Sequence, residues 1–303
     1  MEPMRPKLPS EAITLYNLFI HGEISRRDFM DGLQRFAIGG LTAGALAEAL
    51  MPNYALGQQV SKTDDRIKAS YETVPSPQGN GSIKGYFVRP VSADTRNPTA
   101  VKLPGIIVVH ENRGLNPHIE DIARRLALAN FMAFAPDGLT SLGGFPGDDY
   151  KGGQMFNKVD KKKMEEDFVA SAMWLKSRAD CSGKIGVTGF CYGGGMSNTL
   201  AVRLGADMAA AAPFYGGPPA KEDTAKIKAA ILVHHGELDT RLAATWPAYD
   251  AALKEANVPH DGYIYPGAVH GFNCDATPER YNKAAADLAW QRTIDWFNKY
   301  VRV

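Results

Sequence analysis

The chain has 303 residues, a formal net charge of +1, 22% charged residues and 45% hydrophobic ones. Lysines and arginines are scattered with no basic stripe, which argues against a nucleic-acid partner. Three widely spaced cysteines, Cys181, Cys191 and Cys274, give neither a disulfide framework nor a zinc-ligand pattern, so no metal and no cofactor is expected, and a Cys181–Cys274 bridge is left open.

The first segment, residues 1–57, reads as a leader. Ser25-Arg26-Arg27-Asp28-Phe29-Met30 has the pattern of a twin-arginine export signal, and an alanine- and glycine-rich apolar run follows over residues 36–50. That run is shorter than the ~20 residues of a membrane span, and Glu48 interrupts it. No stable membrane span is therefore expected. Ala55-Leu56-Gly57 offers small residues for cleavage. The expectation is recognition by the twin-arginine export machinery and a periplasmic location; the alternative is a cytoplasmic protein with a helical N-terminal extension. Export of an already folded chain suits a free thiol, because folding takes place in a reducing compartment.

Residues 58–303 read as one domain in which strands and helices alternate. Strands are predicted over 85–89, 106–110 and 131–135, with a helix over 119–129 between the last two. A long glycine-rich loop over 140–158 and a helix over 164–179 come next. A strand over 184–188, a helix over 196–204, and strands over 208–215 and 230–234 follow. A helix over 243–256, a strand over 263–265 and a helix over 278–301 complete the chain. This order predicts an α/β fold: a mostly parallel central sheet with helices on both faces, and functional residues at the carboxyl ends of the strands.

Three of those ends carry reactive side chains. Gly189-Phe190-Cys191-Tyr192-Gly193 has the spacing of a nucleophile elbow, with cysteine in the nucleophile position. Asp239 follows the apolar strand that runs into His234-His235-Gly236-Glu237, and His270 follows the Pro266-Gly267 turn. Nucleophile, acid, histidine is the chain order of the α/β-hydrolase triad. The thiolate is the attacking form of cysteine, so Cys191 needs a proton acceptor; His270 supplies it, and Asp239 would fix the imidazole tautomer. Blander roles stand beside these. Asp239 is also placed to cap a helix starting near Arg241, and His270 to be a hydrogen-bonded turn histidine. His234 and His235 read as structural.

After the strand over 106–110 come Glu111, Asn112 and Arg113. The backbone N–H groups of Asn112 and Tyr192 are the candidate oxyanion donors, each worth about 3 kcal/mol in acyl transfer. Glu111 beside such a hole would repel the developing charge, and a pairing with Arg113 or Arg124 is its simplest explanation. Arg113 and Tyr215 are the candidate substrate contacts, and Lys161-Lys162-Lys163 reads as a solvated helix start.

These motifs together, His110-Glu111-Asn112-Arg113-Gly114-Leu115, Gly189 to Gly194, His235-Gly236-Glu237-Leu238-Asp239 and Val269-His270-Gly271-Phe272, resemble the dienelactone hydrolases, cysteine enzymes of the α/β-hydrolase fold. The resemblance implies hydrolysis of a small lactone or carboxylic ester through a thioester acyl-enzyme. It also implies that Glu111 contacts the resting thiol and helps convert it to thiolate when substrate arrives. That family holds a substrate carboxylate with arginines, one of them four residues after the histidine, where this chain has Cys274. The reaction type is therefore better supported than an anionic substrate. A thiol-redox protein and a non-catalytic ligand-binding relative are the alternatives; no C-x-x-C resolving cysteine accompanies Cys191.

Overall fold

The computed structural model describes residues 8–20, 22–37, 42–54, 57–91 and 102–302. Ala55 and Leu56 of the expected cleavage site, and residues 38–41 of the apolar run, lie outside the described residues. Eight strands, β1 (Ile67–Ser76), β2 (Gly81–Pro90), β3 (Leu103–Val109), β4 (Met132–Pro136), β5 (Cys181–Phe190), β6 (Ala210–Phe214), β7 (Ala230–Gly236) and β8 (His260–Tyr265), form one sheet in the order β1-β2-β4-β3-β5-β6-β7-β8. β2 pairs antiparallel with both β1 and β4, and every other pairing is parallel. The helices are α1 (Ser10–Ile20), α2 (Arg26–Gln34), α3 (Ala43–Leu50), α4 (Pro117–Leu128), α5 (Asp149–Phe156), α6 (Lys161–Ser177), α7 (Tyr192–Leu204), α8 (Lys221–Thr224), α9 (Thr240–Ala243), α10 (Trp246–Glu255) and α11 (Lys283–Tyr300).

The central strands are apolar on both faces because both faces are covered. In β3, Ile106 and Val108 join the core under α4 and α11, while Ile107 and Val109 join the core under α6, α7 and α10. Successive residues of a strand point to opposite faces, so an unbroken apolar run serves two cores at once. Leu232 and Val233 divide between the same two cores in β7.

Several expected boundaries move for identifiable reasons. The helix over 243–256 is two helices, α9 and α10, because Pro247 stands in the first turn of α10, where its missing N–H is tolerated. The terminal helix begins at Lys283 rather than Pro278, with the Asn282 side chain accepting from the Ala285 N–H as its cap. The stretch over 140–158 is not a loop throughout, since Asp148 caps α5 within it. β1 was not expected at all: Ile67, Ala69 and Tyr71 alternate with Lys68, Ser70 and Glu72, but the alternation is short and most of the strand is exposed at the sheet edge. α1, α2 and α3 form a small layer with its own core of Leu8, Ala12, Tyr16, Phe29, Leu33, Leu46 and Leu50.

The tightest packing lies where β5 turns into α7 against the end of β3. A Cβ on Gly193 would stand 2.2 Å from the Val109 carbonyl oxygen, and one on Gly189 would stand 2.1 Å from the Gly193 carbonyl oxygen. Both obstructions are backbone, which no rotamer change relieves. Gly189 and Gly193 thus let α7 start directly at Tyr192 instead of farther along at residue 196. Gly193→Ala is expected to lower stability by about 1–3 kcal/mol, the usual range for overpacking. In Gly195→Ala the new Cβ meets nothing nearer than 3.9 Å, and stability should hold or rise. Urea denaturation of the two variants checks this; equal midpoints would contradict it.

Candidate active site

The elbow places Cys191 in a backbone conformation that side chains rarely adopt, with φ 55° and ψ −112°. Such strain costs on the order of 1–3 kcal/mol, and here the Cys191 N–H bond to the Phe214 carbonyl at 3.1 Å helps to hold it. Cys191 lies above the carboxyl edge of the sheet at the head of α7. Tyr192 is the first helical residue, and its N–H is one that a helix leaves without an intrahelical acceptor. Asn112 lies in the turn after β3, which pairs with β5. The Asn112 side chain donates to the Ile20 carbonyl at 2.8 Å.

His270 and Asp239 meet as the chain order suggested. His270 Nδ1 lies 2.6 Å from Asp239 Oδ2, and both side chains are buried. Asp239 precedes α9 in the capping position but makes no side-chain cap bond, so its carboxylate serves the histidine. Burial would push the His270 pKa down; the charge of the Cys191 sulfur and the hydrogen bonds to Asp239 and Cys191 outweigh it and lift the value to about 9. Burial likewise opposes ionisation of Asp239, yet the bond from His270 keeps its pKa below the usual carboxylate value. His234 is held by the Tyr265 hydroxyl at 2.9 Å and the Thr293 hydroxyl at 3.0 Å, a structural role as expected. Burial keeps His235 neutral, with its pKa lowered to about 4.

Around these residues lies a cavity of about 510 Å³ lined by Cys191, Tyr192, Tyr215, Arg241, His270 and Lys161. Tyr215 follows β6 with a left-handed φ of 37°, is almost fully buried, and sets its ring 5.0 Å from the His270 ring. Its hydroxyl is buried without a hydrogen-bond partner. Lys161 departs from the solvated reading given to its run. Its ammonium lies over the Phe156 ring and donates to the Phe156 carbonyl, and burial lowers its pKa to about 8.

Arg113 does not line this cavity. Its guanidinium donates to the backbone carbonyls of Asp149 at 3.1 Å and Ile20 at 3.3 Å. Arg124 is buried against the Val60 carbonyl and Asp121, so neither arginine's bonds are spent on Glu111. The cation that the charge of Glu111 does act on is Arg280, which sequence reasoning did not single out. Arg280 is 5% exposed, its Nε has no hydrogen-bond partner among the described residues, and its guanidinium packs against Gly271, the residue after the histidine. Burial opposes its charge, but Tyr16, Glu111, Cys274 and Tyr215 more than offset that and raise its pKa. No local pattern marked it: it lies ten residues beyond His270 in an irregular segment and is brought back only by the tertiary fold.

None of Cys181, Cys191 and Cys274 is in a disulfide. Burial first, and then the charge of Glu111, pushes the Cys274 pKa up to about 12. Among the described residues no group of His, Cys, Asp and Glu is arranged to hold a metal ion, and no helix is long and apolar enough to cross a membrane.

A sequence profile of the Dienelactone hydrolase family matches residues 91–301. An Escherichia coli O157:H7 protein named "Putative carboxymethylenebutenolidase" is 31% identical over 256 residues, covering 80% of this chain and 90% of that protein. The "Putative hydrolase fragment YghX" of Escherichia coli K12 is 52% identical over 120 residues, which are 40% of this chain and 97% of the fragment. Among solved structures, the "Putative Dienelactone Hydrolase" of Klebsiella pneumoniae subsp. pneumoniae MGH 78578 superposes with a TM-score of 0.66 at 28% identity, covering 77% of this chain and 99% of that one. The mostly parallel sheet flanked by helices is thus the α/β-hydrolase fold, and the chain belongs to the dienelactone hydrolase family of hydrolases.

Proposed function

We propose that the protein hydrolyses small lactones or carboxylic esters, with Cys191 as nucleophile, His270 as proton carrier and Asp239 as its orienting carboxylate. The observation that carries this reading is the contact of His270 with both Asp239 and Cys191, on an elbow whose geometry exposes the sulfur to a cavity. The thiolate attacks the carbonyl carbon, and the oxygen takes up negative charge beside the N–H groups of Tyr192 and Asn112. As that intermediate collapses, the carbon–oxygen bond to the leaving group breaks and His270 delivers its proton to the departing alkoxide. In a lactone the alkoxide stays on the same molecule. Water then attacks the thioester, His270 takes its proton, and the acid departs as the thiolate is regenerated.

Thiol exchange is less well supported, because a resolving partner must ionise and burial holds Cys274 as a thiol. Glu111 retains the thiol-activating part that the family resemblance implies. We assign recognition of an anionic substituent to Arg280, which packs against Gly271 behind the lining of the cavity, in place of the arginine absent at position 274.

Steady-state assays on p-nitrophenyl acetate and a panel of lactones test the chemistry. Cys191→Ala and His270→Ala are expected to lose turnover by a factor of about a thousand or more, and undiminished turnover in either would refute the assignment. Arg280→Lys is expected to raise KM for carboxylate-bearing lactones by about tenfold to a hundredfold, the worth of a charge-assisted bond, and to leave neutral ones within about threefold of the parent. An equal change for both classes would remove Arg280 from substrate recognition.

The raised pKa of His270 also fixes a pH dependence. A histidine protonated more readily in the folded state contributes stability that is complete below its unfolded pKa near 6.5. That contribution is lost as pH rises through its folded pKa of about 9. The proton given up by Cys191 offsets this over most of that range, because the charged pair holds one proton, as the unfolded thiol and neutral imidazole do; Tm of the parent protein is therefore expected to stay level from about pH 6.5 to 8.5. A steep fall across that range, absent in His270→Gln, would contradict the ion pair.

A further inference from the structure

The segment read as an export leader is folded against the active site. Ser25 and Asp28 of the twin-arginine stretch form a capping box: the Asp28 carboxylate accepts from the Ser25 N–H at 3.1 Å, and the Ser25 hydroxyl accepts from the Asp28 N–H at 3.2 Å. Together they start α2. Phe29 is 1% exposed and stacks on Phe19 at 4.7 Å. Arg26 lies over the ring of Tyr150 in α5 at 5.0 Å.

α1 is the part that approaches Asp239 and His270. Its last carbonyl, on Ile20, accepts from the side chains of Asn112 and Arg113 in the same turn as Glu111. A cation at the negative end of a helix is favourable in addition to the bond itself. Farther along the chain, the Asn53 N–H donates to the Ala276 carbonyl at 2.6 Å, and the Tyr54 hydroxyl donates to Asp149 at 2.8 Å. Between these anchors Tyr16 is 2% exposed, with its ring 5.2 Å from the Arg280 guanidinium carbon. Arg113, Asp149 and Glu111 also act on the Tyr16 hydroxyl electrostatically. On the other side of α1, Ile13, Thr14 and Asn17 face Asp239 and His270 across a second cavity of about 380 Å³.

We propose that α1 is a retained wall beside the catalytic residues, bounding the second cavity at Asp239 and His270, and that Tyr16 is a specificity-determining residue, closing the Arg280 side so that short acyl groups are favoured over long ones. The selection by ester length rests on the ester and lactone hydrolase reading above; the wall itself does not. A chain cut after Gly57 would lose α1, and with it the side chain that covers Arg280. Tyr16→Ala would remove the ring while leaving the backbone anchors at Ile20, Asn53 and Tyr54 in place.

The test uses the full chain, with Tyr16→Phe, Tyr16→Leu and Tyr16→Ala, and p-nitrophenyl acetate and octanoate as substrates. The ratio of kcat/KM for octanoate over acetate is independent of how much of each sample is folded. The expected result is a ratio about tenfold higher in Tyr16→Ala, entering through KM for octanoate, intermediate in Tyr16→Leu and within about twofold of the parent in Tyr16→Phe. Alkylation of Cys191 by iodoacetamide and by N-hexyl iodoacetamide, followed by peptide mass, reads the same wall without any hydrolysis. Loss of ester turnover in all samples with a raised hexyl-to-parent alkylation ratio in Tyr16→Ala would defeat the hydrolase reading and leave the wall standing. Unchanged ratios in both assays for Tyr16→Ala and Tyr16→Leu would overturn the wall. So would an active protein from its own cells whose intact mass begins near Gln58 and whose ester ratio equals that of the full chain.

Discussion

The contact between Gly193 and the Val109 carbonyl sets the distance between α7 and the end of β3, and the reactive centre is built on that distance. With no side chain at Gly189 or Gly193, the turn between β5 and α7 closes tightly enough to force Cys191 into its rare backbone conformation. The same closeness brings the head of α7 beside the turn that carries Glu111 and Asn112. A single methyl added at Gly193 would meet the backbone oxygens of both Val109 and His110. The sheet then does the rest: β7 and β8, running parallel to β5, deliver Asp239 and His270 to the same edge.

Electrostatics inside this edge are coupled rather than additive. His270 is buried, which by itself would keep it neutral, yet the influence of Cys191 and the Asp239 carboxylate at Nδ1 reverse that preference. Arg280 is a second buried charge, and the half-buried Glu111, with Tyr16, Cys274 and Tyr215, favours its cationic form. Burying charge is costly unless partners compensate, and these neighbours supply that compensation beside Gly271.

Much of this was legible in the sequence because it is carried by local rules. The elbow, the apolar run of β3 and the order Cys191, Asp239, His270 are each written in a few adjacent residues. What was not legible depends on tertiary contact. Arg280 gains its place only when the chain folds back on Gly271, and Arg113 loses its expected one because Ile20 and Asp149 claim its guanidinium. β1 was missed because its apolar alternation, Ile67, Ala69 and Tyr71, is short and the strand is mostly exposed at the sheet edge. The residues of α1 to α3 were read as a targeting segment, since the same Ser25-to-Met30 pattern that suggests export also caps and packs a helix.

The most direct test of the central claim is to catch the acyl group on sulfur. Acid quenching during turnover of p-nitrophenyl acetate, followed by peptide mass mapping, should find acetyl on the peptide containing Cys191 and none on those containing Cys181 or Cys274. Enzyme that turns over the ester with no acetylated Cys191 at any quench time, or with the label on another residue, would contradict nucleophilic catalysis by this thiol.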